Sequence, residues 1–571
     1  MRLFSFFILL FSPVLLLSLE QLTSPQNVGY ETQRQEKLIQ NQAEKIQEHR
    51  ATIGDIKVEN NTPKEKEIDK GPSFVLQGVS IKGNTTFDQK EIIPFVKPYV
   101  GLSVYTTTLK EIAKKITNFY HEHGYITSKC ILPQQKVTGG KVIFQIIEDK
   151  LGAIVLSGEH SYEYNPKLFA QYFQSMQGKI INVNELNTKL NLLKNLPISK
   201  VVPTLSRVRP GLSNLILKVT EKAQNITLTT DNYGSYYSGE YRASLSGNIN
   251  NIMGISDILF LSATLGQSIQ DYNSLALYYR HPIGTNGARM LWGGSMINYQ
   301  LDPDKVGSDT VFYDGGSSQF NIMYEQPFFI NRRTSVWLSA AFDNKHLSSR
   351  TLENKTGDTL VDSLDVTSVV TIGAKMILYD AAKGSNTFSL KFSQAIPNFL
   401  NSMTQEDIDR KTYNLTQTDD HNVSFEDIAK QSPLKYGKNL SANFNKLYLS
   451  LYRLQYLPYD FTMKFSLYGN YTSRRIVQAY EFNTGDYGYS GYVGVYRNLF
   501  KEYINMGFSY SYAKVYDYDE ELDTTTRDFN SVNITLNSHY ESFFLSLSYS
   551  SDLETWDSNT KNLKFNAGYT W

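Results

Sequence analysis

Histidine, cysteine and clustered carboxylates are the side chains best able to do chemistry in this sequence, and they gather in three places. His121 and His123 suggest a metal site at first sight. They close a patterned helix, where the negative end of the helix dipole favours exposed imidazoles, and no further ligand set surrounds them. Cys130 is the single cysteine of the chain, so it forms no intramolecular disulfide and reads as a small buried strand residue. The acidic run Asp517 to Asp523 would attract calcium, but the EF-hand spacing is absent and the run reads as a solvated loop. No nucleophile–base pair, ligand cluster or phosphate loop is present. No catalytic, metal-binding or cofactor-binding residue is therefore assigned, and the chain is not expected to be an enzyme.

The elements around these residues are more informative than the residues themselves. Gly124 stands where a helix would end in a left-handed turn. Ile126, Cys130 and Leu132 then share one face of an expected strand, with Thr127 and Lys129 on the other. Pro133 stops that strand, and Thr138-Gly139-Gly140 turns the chain into a second strand over Lys141 to Ile147.

Upstream, an expected strand at Phe74–Ile81 leads through Gly83-Asn84 to a helix from about Asp88 and a second from Leu109 to His123. Thr108 and Glu111 have capping-box spacing, and Leu109, Ile112, Ala113, Ile116, Phe119 and Tyr120 make one apolar face. Residues 151–222 repeat this β-α-α-β-β order. A strand at Ile154–Ser157 precedes a helix opened by Asn165-Pro166. Asn182 and Glu185 then cap a helix carrying Leu186, Leu190 and Leu193, and strands near Val201–Leu205 and Leu215–Val219 finish the unit. Two copies of one small module make an internal repeat.

Composition sets the class of the remaining chain. The 571 residues carry no net charge, which gives no support for a nucleic-acid partner. Forty tyrosines and 31 phenylalanines accompany a negative mean hydropathy, a combination that fits strands spending every second residue on lipid. Met1-Arg2 and the apolar run to Leu17 read as a secretory signal peptide over residues 1–19, and no later run is long enough for a transmembrane helix. Tyr30 to Arg50 reads as a helix polar nearly all round, within a segment 20–50, and residues 51–72 read as a charged linker. From Ala223 helical periodicity stops. Leu447, Leu449 and Leu451 alternate with Tyr448, Ser450 and Tyr452, and Leu563, Phe565, Ala567, Tyr569 and Trp571 share one face of the last strand. Units of about 20 residues allow roughly 16 strands in that length. Gln405 to Lys438 and Tyr516 to Asp528 then read as outer loops.

The wording of these segments resembles one family. GNTTF (83–87), GYITSKCILPQQ (124–135) and FQIIE (144–148) are similar to the first POTRA domain of outer-membrane transporters of two-partner secretion, the haemolysin/haemagglutinin exporters of the Omp85 superfamily. The motif positions are Gly124, Tyr125, Pro133, Gln134, Gly139 and Gly140. LNLLKNLPISKV (190–201) and LSNLILKVTE (212–221) resemble the second POTRA domain, and residues 231–257 and 279–287 resemble barrel segments.

The resemblance implies α+β periplasmic modules, two tandem POTRA units at 73–150 and 151–222, followed by a transmembrane antiparallel β-barrel of about 16 strands at 223–571. Trp571 would be the barrel-terminal signal, and residues 20–50 a helix plugging the pore. The function implied is capture of an unfolded exoprotein in the periplasm, by addition of a substrate strand to a sheet edge, and its export through the barrel. The location implied is the outer membrane of a Gram-negative bacterium. The partners implied are a large secreted exoprotein with an N-terminal secretion domain, outer-membrane lipid, and the barrel-assembly machinery with periplasmic chaperones during biogenesis. No nucleic acid and no cofactor are implied, and the protein would be a monomer. An insertase of the same superfamily and a porin with periplasmic appendages are the competing readings.

One family element departs from pattern. An inward loop normally carries Val-Arg-Gly-Tyr, whose arginine meets an aspartate of Phe-x-Asp-x-Gly on the wall. In Arg474 to Tyr492 the arginine becomes Gln478, beside Tyr480, or else Ser490 when aligned through Phe482 to Tyr492, and Ser490 fits the family spacing better. On the expected wall strand Tyr510 stands where aspartate belongs. Losing both partners leaves no single charge unpaired. The loop is expected to be held by tyrosines and polar groups, with Arg474, Arg475 or Arg497 as a substitute charge against Asp486.

Overall fold

The computed structural model describes residues 52–58, 73–158, 166–193, 196, 198–221, 224–234, 238–302, 311–331, 333–353, 359–409, 440–472, 474–476, 487–500, 503–518, 524–552 and 562–571. The expected signal peptide, plug helix and most of the linker lie outside these residues. So do Gln478, Tyr480, Phe482 and Asp486.

Module 1 is built from β3 (Phe74–Val75), β4 (Gly78–Lys82), α1 (Gln89–Ile92), β5 (Ser103–Val104), α2 (Thr106–Glu122), β6 (Lys129–Ile131) and β7 (Lys141–Ile147). Its three-stranded sheet has the order β4-β7-β6, with β4 and β7 parallel. The expected first strand is split, because Leu76 leaves the ladder to bury its side chain. The helix expected from Asp88 is a single turn followed by two 3₁₀ turns, each with a proline at its start, Pro94 and Pro98. Asp88 and Glu91 form its capping box. The box expected at Thr108 and Glu111 does not form, since α2 begins earlier, at Thr106, after Tyr105. On α2, Leu109, Ile112, Ala113, Ile116 and Tyr120 are buried as the spacing requires. Ile126 and Thr127 lie in a turn rather than a strand, closed by Ser128 N–H donating to the Tyr125 carbonyl.

Module 2 contains β8 (Lys150–Ser157), α3 (Pro166–Phe173), α4 (Val183–Leu193), β9 (Ile198–Arg209) and β10 (Leu212–Glu221). A core of Phe169, Tyr172, Phe173, Leu186, Leu190 and Leu193 lies between the helices and the sheet. Two short strands from the stretch read as linker, β1 (Thr52–Ile53) and β2 (Lys57–Val58), pair in parallel with β9. The sheet order is therefore β1-β9-β10-β8, with β2 also on β9. Ile56 and Val58 pack against the module 2 core, which is why a charged segment docks there at all.

The barrel opens with β11 (Asn225–Asp231), β12 (Arg242–Asn250), β13 (Ile258–Leu265), β14 (Tyr272–Ile283) and β15 (Ala288–Gln300). It continues through β16 (Val311–Ile330), β17 (Thr334–Glu353), β18 (Thr359–Tyr379) and β19 (Gly384–Ala395). The short β20 (Leu440–Ser441) precedes β21 (Asn445–Tyr456) and β22 (Phe461–Thr472), and the short β23 (Arg475–Ile476) follows. The wall ends with β24 (Tyr487–Leu499), β25 (Ile504–Tyr518), β26 (Thr524–Tyr540), β27 (Phe543–Asp552) and β28 (Asn562–Thr570).

All of these except β20 and β23 form one closed antiparallel barrel, sixteen strands in all. Closure joins β11 to β28 from Thr227↔Thr570 to Asp231↔Asn566. Asn232 fastens the seam, donating to the Leu563 carbonyl and accepting from Phe565 N–H. Trp571 N–H donates to the Ile226 carbonyl. The alternation expected on β21 holds: Leu447 and Leu449 are 43% and 58% exposed on the outer face. Tyr516 to Asp528 is mostly not a loop, because β25 runs to Tyr518 and β26 resumes at Thr524. Strands β16, β17 and β18 reach 20, 20 and 21 residues, about twice what a bilayer needs, so they project beyond it.

Candidate functional site

Among the described residues no group of three or more histidine, cysteine, aspartate or glutamate side chains is placed to hold a metal. His121 Nε2 is 3.0 Å from the Ser128 carbonyl and His123 Nδ1 is 2.8 Å from the Phe119 carbonyl, so both imidazoles finish α2. Cys130 is buried, and burial pushes its thiol up to about 12, where it is protonated and unreactive. The site is instead made of sheet edges and of the contacts that aim them.

The motif words of module 1 interlock. The Glu148 carboxylate accepts from the backbone N–H groups of Thr85 and Thr86, from the Thr85 hydroxyl and from the Tyr120 hydroxyl. Asn84 Oδ1 accepts from Tyr120 and from Phe87 N–H. GNTTF, the end of α2 and FQIIE thus meet at one carboxylate. Burial raises the Glu148 carboxyl, but hydrogen bonds from Thr85, Thr86 and Tyr120 outweigh burial and hold it below the usual carboxylate value. Gly83 has φ +80°, and a Cβ there would meet the Ile146 carbonyl, so only glycine makes the turn. Of the other motif positions, Gly140 has φ +68° and its carbonyl accepts from Gln77 N–H, whereas Gly139 faces open space. Pro133 follows β6, and Gln134 is exposed. The neighbouring Gln135 carries the contact: its amide donates to the Ile143 carbonyl and accepts from Ile143 N–H, so it pairs with β7 like a strand.

A second set of contacts fixes module 1 to module 2. Gly124 has φ +91°, and Tyr125 N–H reaches back to the Tyr120 carbonyl, which ends α2 as expected. The Gly124 carbonyl accepts from Val183 N–H at 2.8 Å, and Asn182, which caps α4, donates to the His123 carbonyl. Asp149 is fully buried between the modules. It accepts from Arg207, Ser213 and Gly211 N–H, and Arg207 also donates to the Thr127 carbonyl. Module 2 in turn docks on the barrel: Leu192 meets the 284–287 turn at Gly287, where Pro327 also packs, and Ile330 packs on the module 2 core.

Two edges result. Among the described residues β4 is paired on one side only, by β7. The outer edge of β9 carries β1 and β2, with Gly54 N–H donating to the Val201 carbonyl at 2.8 Å. The sequence pattern does not show this pairing, since residues 51–72 read as linker. The alternating Ile56 and Val58 are its only signal.

At the barrel's outer end the structure separates the residues grouped by sequence. Ser490 and Tyr492 lie on the wall strand β24, so the alignment placing them in a loop is overturned; β24 extends the β22 ladder through Tyr468↔Ser490. Tyr492 and Tyr496 join hydroxyl to hydroxyl. Tyr510 shares the lipid face with Met506 and Phe508 and donates to Asn530, so it does not stand in the lumen where an aspartate would. Arg497 packs over Phe461, 5.0 Å from the ring centroid. Ten residues of strand put Arg497 about 33 Å from Tyr487, the neighbour of Asp486, so Arg497 cannot be the substitute charge. Arg474 and Arg475 do lie at the loop's root, where Arg474 donates to Ser441 and Arg475 is buried.

Known proteins share this outline. Residues 74–149 match a family model described as a POTRA domain, ShlB-type. Residues 211–491 match one described as haemolysin secretion/activation protein ShlB/FhaC/HecB. Together the two take in more than half of the chain. The outer membrane transporter CdiB of Dickeya dadantii is 24% identical over 197 residues, 34% of either chain. The heme/hemopexin transporter protein HuxB of Haemophilus influenzae is 27% identical over 231 residues, 38% of this chain and 40% of its own. The chain thus spans about a third to two-fifths of the length of these relatives. The solved structure of CdiB from Escherichia coli shares the fold, with a TM-score of 0.64 and 17% identity over 97% of this chain and all of that one.

Proposed function

We propose, for a chain that belongs to the haemolysin secretion/activation family of two-partner secretion transporters, that it captures an unfolded exoprotein in the periplasm and exports it through its barrel. The chain is an outer-membrane protein with its POTRA modules on the periplasmic side. Its family is one of translocators rather than enzymes, and in our reading the chain has no chemistry of its own.

The observation that carries the proposal is the β9 edge of module 2, which already accepts an extended segment in parallel register. An unfolded polypeptide brings unpaired backbone groups, and a sheet edge satisfies them while reading alternate side chains. The one-sided β4 offers a second such edge in module 1. The buried Asp149 joint holds the two edges in a fixed relation, so one substrate can engage both. The exoprotein at β9 must first displace residues 52–58. In this scheme residues 1–19 are removed as a signal peptide, residues 20–50 occupy the pore at rest, and the protein works as a monomer in outer-membrane lipid after delivery by chaperones and the barrel-assembly machinery.

Deleting the gene and comparing secreted proteins tests the proposal. Loss of one large exoprotein, restored by the intact gene, is expected. Unchanged secretion, or a general loss of outer-membrane proteins, refutes it; the latter outcome would favour an insertase.

A further inference from the structure

We infer that the two ends of the segment between β19 and β21, residues 396–409 and 440–444, act as a clasp that positions residues 474–476, where the chain leaves β22. An apolar cluster stands there where none is expected. On β17 and β18, Leu338, Val370 and Ile372 face lipid, at 45%, 37% and 58% exposure. Leu347 and Val369 have the opposite parity, as does Ala395 on β19 against exposed Leu390 and Phe392. All three therefore stand on the lumen face of the outer rim, where water would meet them.

They are nevertheless buried, in one cluster with Met403, Ile408, Leu440, Ala442 and Phe444 of that segment and Ile476 beyond β22. Ile476 has no exposure at all, although it lies four residues past the end of β22. In the barrel order β22 is three strands from β18 and four from β17. The chain leaving β22 is therefore drawn inward across the rim.

Main-chain pairing adds direction to this packing. β20 and β23 run parallel, Leu440 opposite Arg475 and Ser441 opposite Ile476. On the other side of β20 the Gln405 side chain donates to the Leu440 carbonyl and accepts from Ala442 N–H. β20 is thus held between Gln405 and β23. The Phe444 carbonyl accepts from Ala395 N–H, and Arg474 donates to Ser441 while Thr472 donates to the Arg474 carbonyl. Apolar burial and a short parallel pair therefore hold a loop root that has no arginine–aspartate lock in the expected positions. Leu440, Phe444 and Ile476 are positioning residues, and the clasp stays closed while substrate passes.

Full-length protein in planar bilayers and in secreting cells tests this, with barrel folding followed by heat-dependent gel mobility. The secretion arm rests on the export reading, whereas the conductance arm needs no exoprotein, so the two readings fail separately. Leu440→Ser with Ile476→Ser is expected to lower secretion at least tenfold and to make the resting conductance fluctuate. Steady, unaltered conductance in that variant overturns the clasp, whatever secretion does. Ser441→Cys with Ile476→Cys tests it by covalent closure, the reduced pair serving as the reference for the shortened side chain at Ile476. Oxidised, this pair is expected to conduct and secrete as the reduced protein does. A block on oxidation that a reductant relieves overturns the inference, because the contact would then have to open in each cycle.

Discussion

Residues 52–58 compete for the edge of β9, and weakening them should expose it. Ile56 and Val58 are half-buried against the module 2 core. Full burial of such side chains stabilises by about 1.5–3 kcal/mol, so each half-buried one contributes about 1 kcal/mol. Ile56→Ala with Val58→Ala should therefore shift the docked segment toward release by about 2 kcal/mol, or about 30-fold. If substrate binds only the open edge, its apparent affinity scales with the open fraction and rises by up to that factor. Gly54→Pro approaches the same state differently, by removing the N–H that meets the Val201 carbonyl. The assay is fluorescence anisotropy of a labelled secretion-domain segment of the exoprotein against full-length protein in detergent. Equal affinity in the parent and in both variants would refute competition at β9 and leave β4 as the edge that captures.

The same geometry sets other outcomes. Glu148→Gln should destabilise module 1 by about 2 kcal/mol, since a neutral amide accepts the Thr85, Thr86 and Tyr120 bonds less strongly. The folded Glu148 pKa lies below the unfolded value of about 4.3, so its stabilisation is complete above that pH and is lost as pH falls through the folded value. Acid unfolding of module 1, followed by tyrosine fluorescence, should accordingly flatten in the Gln variant. Asp149→Ala should cost about 2 kcal/mol, below the usual range for a broken buried pair because Arg207 keeps 25% exposure, and spin-label distances between the modules should broaden. Arg497→Ala should leave secretion within about twofold of the parent, since a half-exposed cation–π contact is worth about 1 kcal/mol or less and lies far from the loop root.

Much of the architecture is legible in the sequence because it rests on local rules. The positive φ of Gly83, Gly124 and Gly140 and the alternation of Leu447 and Leu449 depend on near neighbours. Sequence and structure part where distant segments decide. Thr108 looks like a cap, but β3 pairs with β5 and holds the chain extended to Val104, and α2 starts at Thr106. Ser490 and Tyr492 fit a loop by wording, yet the ladder to β22 and β25 claims them for the wall. Tyr510 occupies the right motif place on the wrong face, since a single-residue change of parity moves a side chain from lumen to lipid.

What the sequence determined by itself was the series of modules and the alternation that lets a barrel stand in lipid, because periodicity, glycine turns and caps act over a few residues. The tertiary structure decided which edges are open, which are covered by residues 52–58, and how the buried Asp149 joins two modules. It also decided that β20 pairs with β23 and that Leu440 and Ile476 fall in one buried cluster. Those contacts join positions 35 to about 150 residues apart, and they depend on register and on which surface still needs covering once the local elements have formed.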